Sequence, residues 1–151
     1  MHVRQLTLAI VMAGLALSNG CGGGGGSYDP PGSPTPPPGG GNTTAANITI
    51  RAGGTLDPKE VRVEIGQAVR FINEDNRAHQ PQSNPHLQHT DCPNINSVGT
   101  LQPGESRTTG AFMTERACGF HDHTLPDTVA LHGTVRVAGA EGPPGPVYVK
   151  P

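Results

Sequence analysis

The chain has 151 residues, 22 of them Gly and 16 Pro, and a formal net charge of −2. With no basic cluster, no Trp, and only 2 Tyr and 3 Phe, it offers neither an electrostatic surface nor stacking platforms for nucleic acid. Gly and Pro concentrate at the two ends, so the folded part is smaller than the whole. Residues 46–140 remain as one domain, long enough to bury a single core of Val, Ile, Leu and Ala, with Phe71, Phe112 and Phe120 as its large members.

The start, "MHVRQLTLAIVMAGLALSNGC", has a basic residue, Arg4, an apolar run from Leu6 to Leu17, and small or polar residues before Cys21. The run is too short for a stable spanning helix, so residues 1–20 read as a secretory signal peptide. "LSNGC" resembles a bacterial lipoprotein signal, although Ser18 stands where that pattern prefers Leu. This resemblance implies a lipidated Cys21, export across the inner membrane and a periplasmic or cell-surface domain held by a lipid anchor. Residues 21–45, Gly runs flanking a polyproline-like centre, cannot bury a core and are expected to be a disordered tether. Residues 141–151 are expected to be a flexible tail.

Within the domain, "NITIR" alternates Ile48 and Ile50 with polar neighbours, as a half-buried strand does. "EVRVEIGQAVRFIN" places Val61, Val63 and Ile65 on one face, then a Gly-Gln turn, then Val69 and Phe71, and reads as a hairpin. Residues 74–98 lack periodicity and are expected to be loops with at most short strands. "LQPGESRTTGAF" is a Pro-Gly turn into a strand, and "VALHGTVRV" is a terminal strand in which Leu131, Gly133, Val135 and Val137 share a face. Short alternating strands and weak helix signals predict an all-β antiparallel sandwich or barrel.

Apart from His2, every histidine lies between His79 and His132, and so do Cys92 and Cys118. Such concentration marks a metal site. A two-residue turn at Gly119-Phe120 after Cys118 would bring His121 beside the sulfur, and His79, at the end of the strand that carries Phe71 and Asn73, is the best-placed third ligand. A His2Cys set with a weak or missing fourth ligand suits copper in electron transfer. His86 and His89 are candidates for a second or entry copper site, but as residues of a polar loop they are expected to be solvated or bonded to the loop backbone. His132 is expected to face solvent, and Asp91 and Asp122 to shape turns or orient imidazoles.

In order and spacing, "VRVEIGQAVRFIN", His79 eight residues after Phe71, "LQPGES", Cys118-x-x-His121 and "HGTVRV" resemble the cupredoxins, the blue copper family, over residues 48–137. The resemblance implies a Greek-key β-sandwich, a copper cofactor held by His79, Cys118 and His121, and a non-enzymatic, monomeric single-electron carrier that docks transiently with a redox protein. Two features depart from the family. No methionine stands at the axial position, which falls to a non-coordinating Leu131 or to His123, and Cys92 is extra.

An alternative stays open, because two cysteines in an oxidising compartment pair by default. A Cys92–Cys118 disulfide would remove the thiolate and leave a histidine-based copper-binding or delivery protein that uses His79, His121 and His123 with His86 or His89. A metal-free interaction module of the same shape is the third reading. A Cys-His-His set also fits catalytic zinc, but no general base stands at a recognisable spacing.

Overall fold

A computed structural model describes residues 43–148. The leader, Cys21, most of the expected tether and the last three residues lie outside them. Eight strands form two four-stranded sheets: β1 Thr43–Arg51, β2 Thr55–Asp57, β3 Glu60–Val63, β4 Gln67–Asn73, β5 Pro81–Ser83, β6 Ser106–Thr108, β7 Arg116–Asp122 and β8 Gly133–Val137. One sheet runs β2-β1-β4-β6 and the other β3-β8-β7-β5. The all-β sandwich expected from the alternating strands is what the chain forms. Its sheets are mixed rather than purely antiparallel, since β1 pairs parallel with β4 and β3 parallel with β8.

The apolar residue of each alternation faces the other sheet. Ile48, Ile50, Val69 and Phe71 from the first sheet meet Val61, Val63, Cys118, Phe120, Val135 and Val137 from the second in one buried cluster. Phe71 and Phe120 cross it edge to face, with ring centroids 5.1 Å apart. Each such side chain taken out of water contributes about 1.5–3 kcal/mol.

Two local expectations are corrected. The segment 61–71 is not a hairpin, because β3 and β4 lie in different sheets. Val63 and Val69 both point into the core from opposite sides, and a turn from Glu64 to Gln67, with Gly66 at φ 87°, carries the chain across. Ile65, on that turn, is consequently exposed. The run after Cys118 is not a turn either. Arg116–Asp122 is one continuous strand, paired to β8 through Phe120 and to β5 through Asp122.

The long polar region contributes only β5 and a one-turn helix, α1, at Pro93–Asn96. Several of the described residues after Ala140 make hydrogen bonds back to the domain. Arg62 donates to Glu141 Oε1 at 2.9 Å, Arg136 to the Gly142 carbonyl at 2.9 Å, and Asn84 Nδ2 to the Gly145 carbonyl at 2.5 Å.

Candidate metal centre

Strand alternation sorts the late motif onto two faces. Cys118, Phe120 and Asp122 point toward the core, while Gly119, His121 and His123 point the other way. The sulfur of Cys118 is bonded to Cys92, with Cα atoms 5.7 Å apart, so it offers no thiolate to a metal. The Cys118–His121 pair expected to share one ion is therefore split between opposite sides of one strand.

His79 is also engaged elsewhere. It is fully buried, with Nε2 2.9 Å from Asp75 Oδ2 and Nδ1 2.6 Å from Asp122 Oδ2, so both ring nitrogens face carboxylate oxygens. Its hydrogen bond, followed by the Gly53 amide, holds the Asp75 carboxyl well below the usual carboxylate range. Leu131 is a core residue beside Gly54. His132 is half-buried, its Nε2 2.8 Å from the Pro126 carbonyl.

The residues brought together are His86, His89, His121 and His123, each with a ring nitrogen within 4.8 Å of the others. His121 comes from the outward face of β7 and His123 from the turn just past its end, while the other two come from the loop after β5. That loop is pinned to the sheet, with Asn84 N–H donating to the Gly119 carbonyl at 2.9 Å and Asn96 Nδ2 to the His89 carbonyl at 2.8 Å. It carries Leu87 at φ 75° and His89 at φ 53°, left-handed conformations that cost an L-residue energy and are found at ligand clamps.

Hydrogen bonds around the rings fix where their lone pairs point. Asn84 gives its Nδ2 to Gly145, so its Oδ1, 2.9 Å from His121 Nδ1, must accept, which places the His121 proton on Nδ1 and a lone pair on Nε2. His89 donates Nδ1–H to the Ser83 carbonyl at 2.9 Å, which likewise leaves a lone pair on Nε2. This buried Nε2 and the buried Nδ1 of His123 have no hydrogen-bond partner among the described residues. His86 Nδ1 lies 3.2 Å from His121 Nε2 and donates to it; holding an ion there needs the other His86 tautomer. His89, its outward nitrogen bonded to a carbonyl oxygen while the inward one waits unpaired, is built as metal ligands are.

Electrostatics favour a neutral ring at His121 and at His86. Burial, then the neighbouring His89 and His86, lowers His121 to about 4. Burial, then His123 and His89, also lowers His86. At His121, whose inward Nε2 carries no proton, none is given up when an ion arrives.

The C-terminal strap roofs the group. The His86 amide donates to the Val147 carbonyl, Tyr148 donates to Asp127 Oδ1 at 2.9 Å, and the Tyr148 ring sits 5.5 Å from that of His86. Gly119 is glycine because the strap and loop lie flat on it: a Cβ there would stand 2.4 Å from Asn84 Nδ2 and 2.9 Å from the Gly145 oxygen.

The set is thus His86, His89, His121 and His123, of which the sequence singled out His121 and His123. The signal for the other two was the His-x-x-His spacing of 86 and 89, taken as a solvated loop.

The sequence matches no protein-family model and no curated protein. Similar solved structures are cupredoxins. A purple cupredoxin from Nitrosopumilus maritimus is 19% identical, with 62% of this chain and 100% of that one covered, at a TM-score of 0.48. Auracyanin from Roseiflexus castenholzii is 21% identical over 65% of this chain and 99% of its own, at 0.49. Plastocyanin from Dryopteris crassirhizoma is 15% identical over 60% and 98%, at 0.48.

Proposed function

We propose that the domain binds one copper ion through His86, His89, His121 and His123, and that it holds or hands on copper outside the inner membrane. The observation that carries this is the pair of buried, unpartnered nitrogens, His89 Nε2 and His123 Nδ1, close to the lone pair of His121. A buried polar atom with no partner costs about 1–3 kcal/mol, and an ion shared by all four rings removes that cost. A metal-free interaction module gives no reason for four rings so aimed.

The donor set argues for copper. Imidazole suits Cu, Zn and Ni, and affinity along the divalent series peaks at Cu(II). Among the described residues the only cysteines are joined to each other, so the thiolate expected of a blue copper electron carrier is absent and the histidine alternative is the better supported. The same bond suits an oxidising compartment. Among the described residues, no helix is long and apolar enough to cross a membrane. Attachment through a lipidated Cys21 and a tether up to the start of β1 would keep the domain at the surface while a copper-exchanging protein docks transiently.

Equilibrium dialysis of the unreduced, monomeric protein against Cu(II), Ni(II) and Zn(II) tests this reading. One tightly held Cu(II), lost in His89→Ala and His123→Ala, is the expected result. Failure to retain any of the three ions would refute it.

A further inference from the structure

The disulfide and the histidine group lie on one short covalent circuit. Cys92 follows His89 by three residues and Cys118 precedes His121 by three. The bond between them therefore ties the loop that supplies His86 and His89 to the strand that supplies His121 and His123. It is a bridge between the two halves of the ligand set.

The cysteines are themselves buried, Cys92 3% and Cys118 0% exposed, but the bond borders an opening in the surface. Both cysteines line a surface cavity of about 230 Å³, together with Asp91, Phe112, Met113 and Arg116. Met113 is 68% exposed at its rim. Beside it the Arg116 guanidinium is paired with Asp91.

Without the bond, the loop is held by weaker ties. These include the Asn84 amide on Gly119, the Asn84 side chain on His121, the Asn96 side chain on the His89 carbonyl, the His86 amide on Val147 and the Arg116–Asp91 pair. An exposed ion pair contributes about 0–1 kcal/mol, and a neutral hydrogen bond about 1 kcal/mol. Nothing in that set replaces a covalent link that fixes the loop against β7.

We infer that the Cys92–Cys118 bond is a redox latch on the histidine site: the oxidised form holds the metal tightly, and two-electron reduction by a dithiol loosens it. The inference rests on the metal-site reading above. In the reaction a thiolate of the dithiol attacks one sulfur, the S–S bond breaks and a mixed disulfide forms. The second thiol of the reductant then displaces the protein sulfur. Two electrons and two protons pass to the protein, leaving two Cys thiols, and the reductant departs as its own disulfide. Because the effect is a coupling free energy, it is reciprocal: bound metal must make the disulfide harder to reduce by the same factor.

Two measurements test the latch. In the first, Cu(II) affinity is compared by chelator competition between the oxidised protein and the Cys92→Ala/Cys118→Ala variant, which mimics the open latch without adding thiol ligands. At least tenfold weaker binding by a variant with wild-type far-UV circular dichroism is expected, and equal affinity overturns the inference. The second does not depend on that variant folding. The midpoint potential of the wild-type disulfide is taken in a glutathione buffer with and without Ni(II), at a free ion concentration set by a metal buffer. The expected midpoint moves about 30 mV more negative for each tenfold of coupling; an unmoved or more positive one overturns the latch. If the oxidised protein binds neither ion, the metal-site reading itself has failed. If it binds but neither measurement shifts, only the latch has.

Discussion

Cys118 and His121, three residues apart on β7, point to opposite faces of the strand, and their chemistry is divided accordingly. The cysteine staples the core to Cys92, while the histidine sits under a loop and a strap with its lone pair turned toward three other imidazoles. Asp122, between His121 and His123, is on the core side and holds His79 away from the group.

His79→Ala separates this arrangement from the ligand set implied by the cupredoxin resemblance. Removing the ring leaves the buried Asp75 and Asp122 facing each other without the donor between them, which should cost about 3–5 kcal/mol in urea unfolding. Copper stoichiometry under native conditions should stay at one, since none of the four clustered rings is touched. Loss of copper from a folded His79→Ala protein would restore His79 as a ligand.

His121→Ala should do the reverse. Its effect on stability is about 1–3 kcal/mol, from the unpaired Asn84 Oδ1, whereas Cu(II) affinity should fall at least 100-fold. Isothermal titration against a competing chelator measures the second quantity directly.

Much of the fold is legible in the residues. Alternation at 48–50, 61–63, 69–71 and 135–137 fixes which side chains meet in the core, and the Pro103-Gly104 turn before β6 is read from composition alone. Which strands pair is another matter. Val63 and Val69 are equally apolar whether β3 and β4 share a sheet or oppose each other across the core, so the hairpin reading had nothing local to correct it. The site failed at one step, the turn assumed at Gly119-Phe120. Glycine there serves close packing against Asn84 and Gly145, not a reversal, and those contacts come from distant segments. Had the strand been run on to Asp122, parity alone would have placed His121 and His123 together and Cys118 opposite them.

Removing the strap, residues 141–151, should leave the sandwich folded, because none of its described residues belongs to the buried core. Copper should then leave faster, by at least tenfold, as His86 loses the Val147 carbonyl and the covering Tyr148 ring. Stopped-flow transfer to an optical chelator reads the rate.

Stability of the metal-free protein should fall as pH is lowered. His121 is held at about 4, below its unfolded value near 6.5, so the unfolded chain takes up more protons between those values. Its contribution is fully present above about pH 6.5 and is lost as pH falls toward 4. Asp75, also lowered, acts in the same direction at more acid pH, where the unfolded carboxyl protonates first. Urea midpoints at pH 7.5, 5.5 and 4.5 should decrease in that order.

The central claim is that one copper sits among four imidazoles with no sulfur ligand. It is tested most directly by adding one equivalent of Cu(II) to the unreduced protein and recording visible absorption with electron paramagnetic resonance. Weak d–d absorption with nitrogen superhyperfine structure, both retained in Cys118→Ser if it folds, is the result expected. An intense thiolate-to-copper band that disappears in Cys118→Ser would contradict it.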